Sequence, residues 1–172
     1  LSPSSAASDV YKRQLHDEDD YQAFFDDTLR AFFADVDELW HAGDFGGIET
    51  ADAIAAFRPL RGVHGNIDGG KARIVYPQWE LFECEGVRVM MTHIGGYPGR
   101  YAPGVEMQLR MHRPKIFIAG HSHILKVIYD KKYDLLHVNP GAAGISGFHQ
   151  VRTALRLVID GEDIRDMEVG EW

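Results

Sequence analysis

Four segments of the sequence end an apolar run on residues that can bind a metal ion. ELWHAGD ends on Asp44, LRGVHGN on Asn66, VRVMMTH on His93, and IFIAGHSH on His121 and His123. If these runs are strands lying side by side, the five side chains meet on one rim, because sites in sheets with parallel strands form outside the strands' carboxyl ends. Imidazole with carboxylate and amide oxygen suits Mn²⁺, Fe, Zn²⁺ or Ni²⁺ better than a thiolate-seeking metal. Asp44 has two oxygens and is able to bridge two ions about 3.5–4 Å apart, where a water loses its proton near neutral pH and a phosphoryl group is held. His121 and His123 would share a target if GHSH were extended, since side chains two apart then point the same way.

Each residue also has a plainer reading. Asp44 can cap a helix starting near Ile48, and Asn66 can be a turn residue that tolerates left-handed backbone. Gly43, Gly65 and Gly120 beside them suit tight turns and close backbone approach. His41 and His64 read as packing or supporting groups, His112 as helix surface, His137 as part of a strand, and His149 as exposed after a glycine loop. Tyr97 and Arg100 in GGYPGRY follow His93 and are substrate-binding candidates at the mouth; arginine's fork of donors suits phosphate.

The elements that must position these groups follow from periodicity. LSPSSAASDVYKRQ and the acidic LHDEDD have no helical or strand period, so residues 1–18 read as a disordered or foreign leader and 19–172 as a single domain. Phe24, Phe25, Leu29, Phe32 and Phe33 predict a helix over 20–35. A strand at DELWHAGD, a helix at ETADAIAAFR with Thr50 as its cap, and a strand at LRGVHGN follow, an order that favours a parallel arrangement. QWELFEC and VRVMMTH form a hairpin about Glu85-Gly86, Pro103 opens a helix in APGVEMQLRMHR, and KIFIAG is a buried strand. Hairpins about KKYD and about Gly161-Glu162 make the second half mainly antiparallel.

The composition narrows the class. The chain has 172 residues, 45% hydrophobic and 26% charged, which suits one globular domain with a real core. A net charge of −8 argues against a broad nucleic-acid-binding face, and no apolar stretch approaches the ~20 residues that span a bilayer. The single cysteine, Cys84, reads as a structural thiol and fits a reducing compartment, the cytoplasm.

The order Gly43-Asp44, Gly65-Asn66, Thr92-His93 and Gly120 to His123 resembles the calcineurin-like metallophosphoesterase superfamily. GNID in place of GNH, and VNPGAAG over 138–144, resemble its small YfcE-type phosphodiesterases. The resemblance implies an α/β (α+β) fold, a four-layer αββα sandwich, with two divalent ions, Mn²⁺ foremost. Asp44 would bridge them, Asn66, His93 and His121 would complete one, and His123 would bind the other. The substrate would be a small phosphoester, preferably a diester, with a homo-oligomer allowed. The family's first strand, ending in Asp-x-His, has no counterpart here: Ser8-Asp9-Val10-Tyr11 is a faint echo and His16-Asp17 has the order reversed. The sandwich is therefore expected to lack that strand, to hold one ion at best, and to be impaired as an enzyme. The retromer subunit of the superfamily supplies the alternative, a non-catalytic interaction scaffold. Ile67 stands where members with GNH place a histidine near the leaving group.

Overall fold

A computed structural model describes residue 25 and residues 27–144 and 151–172. In chain order its elements are α1 (Asp27–Phe32), β1 (Leu39–His41), α2 (Ile48–Phe57), β2 (Leu60–Gly62), α3 (Gly70–Val75), β3 (Trp79–Cys84), β4 (Val87–Thr92), β5 (Gly96–Tyr97), β6 (Arg100–Tyr101), α4 (Val105–His112), β7 (Ile116–Ala119), β8 (Leu125–Asp130), β9 (Leu135–Pro140), β10 (Thr153–Asp160) and β11 (Asp163–Glu171).

The short apolar runs form the middle of a five-stranded sheet in the order β3-β4-β7-β9-β8. β4, β7 and β9 run parallel, and β3 and β8 close the edges as antiparallel partners. IFIA of β7 is buried at every position, as a strand covered on both faces requires. A parallel ribbon of β1 and β2, joined through α2, and the β10–β11 hairpin lie over this sheet. Trp40, Ala42 and Val63, with Leu155, Leu157 and Ile159 of β10, meet Val89, Met91, Ile116, Ile118 and Val138 in one core.

Helices cover both outer faces. Leu29 of α1 and Ile54 of α2 pack with Leu39 and Ala154, while Val105 and Leu109 of α4 pack on Met90, Phe117 and Leu135. The layers are therefore helix, strands, strands and helix, the expected αββα sandwich. Among the described residues β1 pairs in a sheet with β2 alone and β10 with β11 alone. The expected leader and the expected loss of a first strand concern residues 1–24, which lie outside the described residues, as does His149.

Some expectations need correction. Of the helix expected over 20–35, residues 20–24 and 26 lie outside the described residues, and α1 (Asp27–Phe32) ends in a turn over 33–35. Thr50 does not cap α2: the cap is Gly47, without a side-chain hydrogen bond, and Thr50 is buried inside the helix. Asp44 is no cap either, since it precedes Gly47 by three residues. α4 starts at Val105 behind Gly104 at φ 87°, two residues past Pro103. α3 is an addition, too short for its six residues to carry a clear helical period.

The topology fixes where polar residues emerge. Register pairs Thr92 with Ala119 and His41 with Gly62, so the chain leaves four parallel strands at the same end. The Gly120 amide then donates to the His93 carbonyl at 3.0 Å, joining the two exits.

Candidate metal centre

His93 follows β4 directly and is 3% exposed. Its Nδ1 lies 2.7 Å from the Ala42 carbonyl, an oxygen that can only accept, so Nδ1 carries the hydrogen and Nε2 presents a lone pair. Nε2 sits 2.9 Å from Asn66 Oδ1, 3.2 Å from Asp44 Oδ2 and 3.2 Å from His121 Nδ1. His121 Nδ1 is also 3.0 Å from Asn66 Oδ1. Ligand atoms of Asp44, His93 and His121 all lie within 4.8 Å of one another. Four potential ligand atoms thus converge on one point, and with the His121 hydrogen on Nε2 all four present lone pairs, an arrangement that repels itself unless a cation lies among them. Two imidazoles, a carboxylate and an amide oxygen fit a borderline divalent ion.

Electrostatics favour the ligating forms. Burial pushes the Asp44 carboxyl up, but the hydrogen bond and charge of His93 when Nε2 is also protonated, the Ile67 amide and His121 together hold it below the usual range. Burial, with His93 beside it, lowers the His121 pKa, and Asp44 only partly opposes this. A neutral imidazole is the form that binds metal.

Supporting contacts hold the four ligands in place. Asp68 accepts the Gly46 amide at 2.9 Å with one oxygen and the Gly65 amide at 2.7 Å with the other, pinning the Asp44 loop to the Asn66 loop. Asn139 donates to the Gly120 carbonyl at 3.0 Å and Ser122 Oγ at 2.9 Å, and accepts the Gly141 amide at 3.0 Å, which secures the GHSH turn. A Cβ on Gly65 would stand 1.9 Å from Asp44 Oδ1, so only glycine allows this approach. His41, 2% exposed, accepts the Gly43 amide at 3.2 Å and stacks on Phe45 at 3.9 Å, the supporting role expected of it. His64 Nδ1 donates to the Tyr76 carbonyl at 2.8 Å.

Asp44, Asn66, His93 and His121 are brought together; His123 stands outside the group within 4.8 Å. The reason is backbone: β7 ends at Ala119, and His121 and His123 adopt φ 67° and 57°, so GHSH turns instead of running extended. Tyr97 and Arg100 face each other across the β5–β6 hairpin, with Lys126 Nζ 4.2 Å from the Tyr97 ring. Asp68 and Asn139 are functional residues that spacing and residue type do not single out. Their only signals were the Asp two places after Asn66, a residue type that bonds nearby amides, and the Asn of VNPG.

Residues 8–162 match the calcineurin-like phosphoesterase superfamily domain. A probable metallophosphoesterase of Methanothermobacter thermautotrophicus is 30% identical over 141 residues, covering 80% of this chain and 77% of that protein. Vps29 of Chaetomium thermophilum shares the fold at TM-score 0.71 and 14% identity, over 97% of this chain and 96% of its own. A structure described as a novel archaeal phosphodiesterase does so at 0.65 and 18%, over 95% and 99%.

Proposed function

This chain belongs to the calcineurin-like phosphoesterase superfamily, and from that premise we propose that it hydrolyses small phosphoesters, diesters before monoesters, at one divalent ion. The observation that carries the reading is the meeting of His93 Nε2, Asp44 Oδ2, Asn66 Oδ1 and His121 Nδ1 within hydrogen-bond distances. An ion held by these four would supply Lewis acidity toward a phosphoryl oxygen and acidify a water molecule.

The chain's own residues set the conditions for that chemistry. The Ala42 carbonyl keeps the His93 proton on Nδ1, as partners behind a ligating histidine generally do. Asp44 stays a carboxylate because the Ile67 amide, and positive charge at His93 or His121, favour the charged form. Its Oδ1 accepts that amide at 3.2 Å, which leaves a second ion with His123 as its main remaining donor. We therefore propose a single tightly held ion, with Mn²⁺ the first to test. Ile67 carries no proton for a leaving group, so diesters with good leaving groups should turn over fastest. Tyr97 and Arg100 are proposed to line the mouth. Among the described residues no helix is long and apolar enough to cross a membrane; the lone Cys84 supports a cytoplasmic setting.

The test is hydrolysis of bis(p-nitrophenyl) phosphate with Mn²⁺, run beside metal analysis of the purified protein. Turnover lost in Asp44→Asn, with one ion per chain, supports the reading. Two tightly held ions overturn the single-site part. Absence of turnover with the ion bound turns the assignment to the alternative, an interaction scaffold on the same fold, which the likeness to Vps29 supports.

A further inference from the structure

Beside the metal cluster lies a cleft of about 280 Å³ that shares Asn66 and His93 with it and extends to Arg73, Gln78, Trp79 and Ile94. That volume is at the small end for ligand pockets, suited to one compact group and not to a polymer. The chain carries 26 acidic residues and a net charge of −8, yet no carboxylate lines this cleft and Arg73 is its one permanent charge. Two other clefts among the described residues mix charges: one sets Lys115 against Asp134, Glu162 and Asp163, and the other sets Arg110, Arg113, Lys115 and Lys132 beside Asp134, but neither touches the metal cluster.

Arg73 is held ready there. Its Nε donates to the Asp68 carbonyl at 2.7 Å, and one Nη donates to the carbonyls of Gly65 and Asn66, both at 3.3 Å. The other Nη, with two hydrogens, has no partner among the described residues. A guanidinium fixed this way has given up much of its side-chain freedom already, and it keeps donors for an anionic oxygen. The remaining lining supplies flat and apolar surface: Trp79 is half-buried, Pro103 stands nearby, and Ile94 is 48% exposed directly after His93.

We propose that this cleft is the subsite for one arm of the substrate, and that the arm is a planar ring system joined to a phosphate, of the nucleoside monophosphate class. Arg73 holds the anionic oxygens and Trp79 with Ile94 takes the ring. The proposal rests on the phosphoesterase reading of the adjoining cluster.

The test titrates the full chain, in Mg²⁺ buffer, with AMP, adenosine and inorganic phosphate while following tryptophan fluorescence. AMP should bind more tightly than adenosine or phosphate, and Trp79→Phe should remove the signal. Arg73→Ala should weaken AMP about tenfold or more, the scale of one lost charge-assisted hydrogen bond, and leave adenosine unchanged. Arg73→Lys, which keeps the charge without the fork, should fall between, with unaltered circular dichroism. AMP no tighter than phosphate, a signal that survives Trp79→Phe, or equal AMP affinity in Arg73→Ala would overturn the subsite. Hydrolysis of bis(p-nitrophenyl) phosphate separates the two readings: turnover without AMP binding removes the subsite alone, and AMP binding without turnover removes the phosphoesterase assignment alone.

Discussion

Two histidines carried by the same sheet are both buried and placed in opposite circumstances. His93, at the end of β4, has Nδ1 on a carbonyl and Nε2 facing three other ligand atoms. His137, in the middle of β9, is fully buried, and neither ring nitrogen has a hydrogen-bond partner. Its neighbours are the rings of Tyr101 and Phe117. Burial alone therefore does not mark a ligand; convergence of lone pairs does. One imidazole is built into a site, and the other is carried by the packing around it.

The contrast breaks most sharply at His93. His93→Ala should abolish turnover and stoichiometric metal binding, a larger loss than the roughly 10–100-fold cost of removing a partner behind a ligand; metal analysis and the aryl diester assay check it.

The next effect belongs to His137. Burial pushes its pKa down from 6.5 to about 4, Lys126 adds to the shift and Asp130 opposes it. The unfolded chain thus binds this proton first, so stability should hold above about pH 6.5, decline as pH falls, and level off below about pH 4, a total on the order of 3 kcal/mol. His41, lowered to about 3, works in the same direction. Denaturant melts across this range should show a shallower acid decline in His137→Leu, with neutral-pH stability equal or higher, since an orphaned polar group is removed.

Asp68→Ala comes third. It leaves the Gly46 and Gly65 amides without their acceptor and should lower metal affinity by about 10–100-fold, read by calorimetry, while all four ligands remain. Last, His123→Ala should change the affinity for the single ion by no more than about 0.5 kcal/mol, because the residue lies outside the cluster. A large loss there would place His123 among the ligands and erase the distinction drawn above.

The sequence disclosed much of this arrangement for a physical reason. LWH, VRVMMT and IFIA are apolar runs that stop abruptly on polar residues, and parallel pairing then brings Asp44, Asn66, His93 and His121 to one rim. What stayed hidden depends on distance along the chain. Asp68 reaches an amide 22 residues away and Asn139 a carbonyl 19 residues away, contacts that no local pattern encodes. His123 diverged from its neighbour because two left-handed residues turn the chain where spacing suggested extension. Thr50 looked like a cap by residue type, but Gly47 took that position and Thr50 became interior.

Asp44 and His121 adopt φ 61° and 67°, a conformation that costs side chains other than glycine about 1–2 kcal/mol per residue. Two of the four donors are therefore liabilities for the empty polypeptide. Directed evolution toward heat resistance in the presence of a chelator would be expected to drift toward glycine at 44 and 121 and discard the donors. The same selection with the ion supplied would keep them, so the choice of buffer would decide whether hardening the protein also disarms it.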